Sequence, residues 1–179
     1  MKKVISIVLL LLALTLPVFA TADMFFTLGV QNSKLNLSLG FPESGMSSQF
    51  DMQALGEFTS IFNKNYGVKG MFLTDFQSGF QLGASFAYKN NISSDVSYIL
   101  AIGPTFSFKG ASLSEKAKGD FSIGANMDAA FQFYLTSSMY VDVATGLIID
   151  IVSFTKDRSP ETSINIFIPL PRVGLGWKF

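Results

Sequence analysis

Alternation of apolar and polar residues with a period of two recurs along this chain. From Phe121 to Thr136 the odd positions are apolar, and the even positions are polar or small. A helix would scatter these two sets around its circumference, so the segment is predicted to be a strand with one apolar face. Similar alternation is found at 66–75, 80–88, 96–109, 139–151 and 172–179.

Two further segments have less regular patterns. Met24 to Phe41 is predicted to be one long strand whose register slips near Asn32–Ser33, and a β-bulge would account for the slip. Residues 50–62 fit either a strand or a helix, and the short turn at 63–65 and the neighbouring strands favour the strand. Eight strands result, with short connections at one end (63–65, 89–95 and 137–138) and mostly longer ones at the other (42–49, 76–78, 110–120 and 155–163).

The N-terminal segment has the pattern of a secretory signal peptide. Lys2 and Lys3 precede an apolar run from Val4 to Leu16, and small residues follow it. Residues 1–22 are therefore predicted to be a signal peptide, cleaved after Ala20 or Ala22. The run is too short for a spanning helix, which needs about 20 residues.

The composition points to a membrane. Hydrophobic residues make up 49% of the chain, and the mean hydropathy is +0.39, yet no apolar run beyond the signal approaches the length of a spanning helix. A sheet can cross lipid only when it closes and leaves no edge. Residues 23–179 are therefore predicted to form one all-β domain, an eight-stranded antiparallel up-and-down transmembrane β-barrel. A soluble, lipocalin-like barrel with its apolar faces inward is the alternative.

The polar faces of the strands carry charged residues that would point into the barrel. Charges in a narrow interior must be paired or hydrated. Antiparallel register places Glu57 nearly opposite Lys69, and Asp150 is expected within a residue or two of Arg172. We interpret the set as a structural ion-pair network rather than a proton or ion relay. The inward charges are Glu57, Lys69, Asp75, Asp128, Asp142, Asp150, Arg172 and Lys178.

Several functions are disfavoured by what the chain contains. It has no Cys and no His, so a disulfide framework is excluded and a Ser or Asp nucleophile would lack its usual base. Without the signal peptide, 11 Lys and Arg stand against 13 Asp and Glu, and no clustered basic face suggests nucleic-acid binding. We expect no enzyme activity, cofactor or metal site.

The C-terminal residues carry a family resemblance. Val173, Leu175, Trp177 and Phe179 alternate with Arg172, Gly174, Gly176 and Lys178, and Phe179 ends the chain. With the signal peptide and eight strands, this pattern resembles the small bacterial outer-membrane β-barrels of the OmpA, OmpX and OmpW types. The resemblance implies location in the bacterial outer membrane, in contact with its lipid. It also implies that the four alternating apolar residues are recognised by the barrel-assembly machinery. We expect a monomer.

Two functions remain open for such a barrel. Eight strands leave an interior that side chains nearly fill, which favours a structural or surface-interaction (adhesin-like) role through outer loops that would meet an extracellular ligand. The alternative is OmpW-like transport of small or apolar solutes. Its support is a set of apolar residues on the inward face, Leu55, Met71, Leu73, Ile99, Ile148 and Val152.

Overall fold

The computed structural model describes residues 22–39, 45–76, 79–109, 120–154, 161–169 and 171–179, and its regular elements are all β-strands. Alternating residues with opposite polarity favour extended backbone here, because each strand can then separate an apolar from a polar surface. The strands are β1 (Asp23–Leu39), β2 (Gly45–Asn63), β3 (Tyr66–Thr74), β4 (Gly79–Asn91), β5 (Val96–Lys109), β6 (Asp120–Tyr134), β7 (Met139–Phe154), β8 (Glu161–Pro169) and β9 (Arg172–Lys178).

The strands form one closed antiparallel sheet. Each strand from β1 to β7 pairs with the next, and both β8 and β9 pair with β7 on one side and β1 on the other. Therefore β8 and β9 together occupy one strand position between β7 and β1, and the barrel wall has eight strand positions. The predicted fold class is confirmed, and residues 50–62 are strand.

The predicted slip in register near Asn32–Ser33 is confirmed. Asn32 pairs with Met52, but Lys34 pairs with Gln49, so two residues of β2 face one residue of β1. The extra residue thus belongs to β2, although the sequence pattern predicted the irregularity in β1. Such a bulge bends a strand and increases its local twist.

Three connections are shorter than the sequence pattern predicts. Residues 45–49, 89–91 and 161–163 are strand, although we expected them to be loop. Ladder hydrogen bonds join backbone groups and need no apolar side chain, so a strand can continue beyond the alternating segment. Some predicted segments lie outside the described residues. They are the signal peptide up to residue 21, residues 40–41 of the first strand, and residues 42–44, 77–78, 110–119 and 155–160 of the loops.

Apolar side chains cover the outside of the barrel, and most of the described buried side chains inside it are polar. On β6, Met127 and Phe131 are 52% and 46% exposed, whereas Asn126 and Gln132 are 5% and 1% exposed. The predicted orientation of this strand is confirmed, and the lipocalin-like alternative is wrong. No helix among the described residues is long and apolar enough to cross a membrane.

Aromatic side chains form a belt near each end of the outer surface. We call the end with the turns at 64–65, 92–95 and 135–138 the turn end, and the opposite end the loop end. The loop-end belt is a chain of Phe rings, with Phe80, Phe108, Phe121 and Phe154 in successive contact. The turn-end belt includes Tyr66, Tyr88 and Tyr98. This distribution is typical of barrels that cross a membrane.

Candidate functional site in the barrel interior

Four charged side chains meet across the middle of the barrel, and we call them the charge quartet. Lys69 Nζ lies 2.9 Å from Glu57 Oε1 and also contacts Asp128 Oδ2. Arg172 Nη2 lies 2.7 Å from both Glu57 Oε1 and Asp128 Oδ1. The four side chains are at least 96% buried. Each cation therefore touches both carboxylates, and the formal charge of the quartet is zero.

The quartet joins strands that are far apart in the wall. Glu57 and Lys69 belong to the neighbouring strands β2 and β3, Asp128 belongs to β6 on the opposite side, and Arg172 belongs to β9. Within the β2–β3 pair, Lys69 lies opposite Thr59 and Glu57 lies opposite Met71. The Glu57–Lys69 contact is thus diagonal, within reach of long side chains. The ion pairs therefore link opposite sides of the barrel wall across its interior.

Asp142 and Asp150 are buried on β7 but do not join the charge quartet. The expected proximity of Asp150 to Arg172 is wrong. Arg172 lies opposite Ala144, six residues from Asp150, and Asp150 lies opposite Asn165. The physical reason is that β8 begins at Glu161, so the shorter connection shifts the register. Among the described residues, Oδ1 of each aspartate has no hydrogen-bond partner.

The other two predicted inward charges lie at the ends of strands. Lys178 is partly exposed at the turn end, and its Nζ lies 3.1 Å from Asp23 Oδ1. Asp75 follows β3, and its Oδ1 accepts a hydrogen bond from the backbone N–H of Gly79 at 3.1 Å. Neither residue belongs to the charge quartet.

Apolar side chains pack inside the barrel on both sides of the charge quartet. Towards the loop end, Leu55, Met71 and Leu73 form one buried cluster. Towards the turn end lies a larger one. Together with the ion pairs, these apolar groups occupy the interior at these levels. The larger cluster consists of Phe25, Ile61, Ala87, Ile99, Ala101, Ala130, Tyr140 and Ala144.

A third buried cation, Lys89, was not recognised as part of a site from the sequence. Its Nζ donates to Gln132 Oε1 at 2.9 Å, to Tyr134 Oη at 3.0 Å and to Ser97 Oγ. It also lies 4.8 Å from the centre of the Phe25 ring. We call these five residues the Lys89 cluster. The sequence signal was a lysine on the polar face of β4, at its junction with the predicted connection 89–95, and no role was assigned to it.

Two members of the Lys89 cluster, Lys89 and Tyr134, line a cavity at the turn end. This cavity has a volume of about 460 Å³. Its charged lining residues are Asp23, Lys64, Lys89, Asp95 and Lys178, and the remainder is mostly Asn, Ser and Thr. The cavity is therefore polar and carries one more cation than anions.

The barrel wall has an irregularity around Pro171. On β7, the ladder with β9 ends at Ala144 and the ladder with β8 begins at Ile148, so residues 145–147 have no partner there among the described residues. Pro171 has no N–H to donate to a neighbouring strand. Residues 145–147 also line an apolar groove of about 530 Å³.

No group of three or more His, Cys, Asp or Glu residues that could hold a metal ion occurs within the part of the chain that the structure describes. The interior instead combines neutralised charge with apolar packing. This arrangement can hold the barrel closed. Among the described charged residues, Lys89 forms no ion pair, and Oδ1 of Asp142 and of Asp150 has no hydrogen-bond partner.

Comparisons with known proteins agree with this architecture. No protein-family model matches the sequence, and no curated protein matches it. Among solved structures, the N-terminal β-barrel domain of Pseudomonas aeruginosa OprF has a TM-score of 0.55 at 10% identity, covering 89% of this chain and 98% of that one. Neisserial surface protein A has a TM-score of 0.53 at 14% identity, covering 87% and 97%.

A third similar structure is the outer membrane protein OprG from Pseudomonas aeruginosa. Its TM-score is 0.52 at 12% identity, and the match covers 89% of this chain and 96% of that one. At these identities the likeness concerns the fold. The chain has the fold of the small eight-stranded outer-membrane β-barrels, in agreement with the resemblance of its C-terminal strand.

Proposed function

We propose that this chain is an exported, monomeric outer-membrane protein whose closed barrel is an anchor for a ligand-binding loop end. The observation that carries the proposal is the charge quartet, which together with the apolar clusters fills the interior. A filled interior leaves the loops as the part that meets other molecules. The absence of His and Cys from the sequence supports a non-enzymatic role.

Membrane location is supported by the apolar outer surface between the two aromatic belts. Leu100, Ile102 and Met127 are each about half exposed, which would be unfavourable over such a continuous area in water. We expect the protein to fractionate with outer membrane and to show heat-modifiable migration on gels. Recovery as a soluble periplasmic monomer without detergent would contradict the proposal.

Closure of the lumen can be tested by electrical recording. Because each cation of the charge quartet contacts two carboxylates, opening the barrel at this level would require separating buried ion pairs. The wild-type barrel in a planar bilayer is expected to show little or no conductance. Large and steady conductance would contradict an anchor role and favour transport.

Ligand binding at the loop end is proposed from the sequence of two segments. Residues 110–119 and 155–160 together contain four Lys and Arg against two Asp and Glu, so they favour an anionic partner. We expect cells that display the protein to bind immobilised heparin more than neutral dextran. Replacing both segments with Gly-Ser linkers should remove the difference, whereas the same replacement of residues 92–95 should not. Equal binding by all variants would refute this role.

The C-terminal residues are proposed to be the assembly signal. Val173, Leu175 and Phe179 are exposed on the outer surface, and β9 pairs with β1 where the barrel closes. Until that pairing forms, the last strand presents unpaired backbone groups. Deletion of Phe179 should lower outer-membrane yield in cells far more than refolding into detergent. Equal loss in both assays would mean that Phe179 contributes packing alone.

Transport of apolar solutes through the wall is the second candidate, and the irregularity around Pro171 favours it. The apolar groove reaches residues 145–147, where β7 lacks a partner on one side. In this case, Ala129→Trp would fill the groove and reduce uptake of radiolabelled toluene by cells. Ala54→Trp, at a position on the outer face of β2, which does not line the groove, is the control. Uptake equal in cells with and without the protein would exclude this function.

A further inference from the structure

We propose that the cavity at the turn end is a binding site for a small carboxylate, held over the Lys89 cluster. The site is separate from the charge quartet and from the loop end. It is built from a buried cation that lacks a carboxylate partner, a tyrosine hydroxyl beside it, and an open polar cavity in front of both.

The first argument is the charge of Lys89. The side chain is buried, with 8% of its surface exposed, and its hydrogen-bond partners are all neutral. Within the described residues no carboxylate forms an ion pair with its Nζ. The carboxylates that act on it from further away are those of Asp142 and of Asp23, which is paired with Lys178. A buried cation without a counter-ion is costly, and a bound anion would offset that cost.

The second argument is the hydroxyl of Tyr134. It accepts a hydrogen bond from Lys89 Nζ at 3.0 Å, which polarises its own O–H group. That O–H makes a long contact of 3.3 Å with Gln132 Oε1, an oxygen that already accepts bonds from Lys89 and Ser97. Tyr134 also lines the cavity. Its proton can therefore turn towards a ligand oxygen and transmit the charge of Lys89.

The third argument concerns the size and charge of the ligand. A cavity of about 460 Å³ falls within the range of small-molecule sites. Lys178 is already paired with Asp23, and Lys64 and Asp95 at the rim balance each other, so one positive charge remains at Lys89. This charge matches a single carboxylate better than a doubly charged phosphate. The Asn and Ser side chains around the rim suit a ligand that also carries amide or hydroxyl groups.

The test is an NMR titration of the intact barrel in detergent micelles. The probe is N-acetyl-dialanine with a free C-terminal carboxylate, and the matched probe is its C-terminal amide. We expect saturable amide shifts at the turn end with a Kd on the order of 1 mM for the acid and none for the amide. No binding of the acid up to about 10 mM, or equal binding of acid and amide, would overturn the proposal. Tighter binding of inorganic phosphate would overturn the assignment to carboxylates.

Two pairs of variants separate the site from general effects on folding. Tyr134→Phe should weaken binding of the acid about tenfold, whereas Tyr98→Phe, which removes a hydroxyl from the outer belt, should leave it unchanged. Lys89→Met should weaken binding at least about tenfold, and Lys64→Met at the exposed rim about twofold. Unchanged affinity in Tyr134→Phe and Lys89→Met, with native spectra elsewhere, would place the probe at another site and refute the proposal.

Discussion

Lys69 and Lys89, the two lysines found buried in the described part of this barrel, have opposite surroundings. Lys69 lies between the carboxylates of Glu57 and Asp128, whereas Lys89 donates to neutral oxygens of β5 and β6. Both are on inward faces of adjacent strands, and both are more than 90% buried. The same residue type therefore serves two purposes. Lys69 neutralises carboxylates inside the barrel, whereas the positive charge of Lys89 faces a cavity.

This difference indicates where stability and binding reside. Removing one member of a buried ion pair leaves its partner buried without a counter-charge. The resulting loss of folding free energy is far larger than the contribution of the intact pair to stability. Removing Lys89 leaves Ser97, Gln132 and Tyr134 able to bond one another, as Ser97 Oγ already donates to Gln132 Oε1 at 3.1 Å. The charge quartet should therefore govern stability, and the Lys89 cluster should govern ligand affinity.

The largest effect is expected from Lys69→Met. This change leaves Glu57 and Asp128 with Arg172 as their remaining cation, so the free energy of unfolding should fall by about 3–5 kcal/mol. Urea-induced unfolding in lipid vesicles, followed by the fluorescence of Trp177, measures this. A loss below about 1 kcal/mol would mean that the quartet behaves like an exposed ion pair.

A smaller loss is expected when charge balance is restored. In the double variant Glu57→Leu with Lys69→Met, Arg172 and Asp128 remain as a neutral pair. The free energy of unfolding should recover to within about 1–2 kcal/mol of the wild type, because apolar replacement of a buried ion pair is often close to neutral. Additive losses in the same unfolding assay would show that the two side chains are not coupled.

Lys89→Met is the matched substitution at the second lysine. We expect a change of at most about 1 kcal/mol in the free energy of unfolding, since the buried charge disappears and the neutral oxygens retain partners. A loss as large as that of Lys69→Met would contradict the distinction between the two lysines.

The smallest effect is expected at the partly exposed ion pair of Lys178 and Asp23. Their side chains are 36% and 56% exposed, and the N–O distance is 3.1 Å. Asp23→Asn should lower the free energy of unfolding by no more than about 0.5 kcal/mol, because solvent screens such pairs. A larger loss in the urea assay would indicate that this pair helps to seal β1 against β9.

The alternation of side chains by itself determined the strands, their inward and outward faces, and the closed barrel. Each of these follows from relations between near neighbours in the sequence. Adjacent side chains of a strand point to opposite faces, as Asn126 and Met127 do on β6. In lipid every backbone N–H and C=O group must be hydrogen-bonded. Strands meet this requirement only when they form a closed barrel. The irregular wall around Pro171 was not anticipated, because the predicted strands did not include residues 164–171, although Ile164, Ile166 and Ile168 alternate there.

Tertiary structure alone decided which interior charges meet. Arg172 contacts Glu57 and Asp128 across the lumen rather than Asp150 on the neighbouring strand β7, because loop lengths and the closure of β9 on β1 set its position. Lys89 likewise obtained its partners from β5 and β6. Alternation assigns a residue to the inside of the barrel, but contacts across the lumen depend on the register of every strand between the two residues.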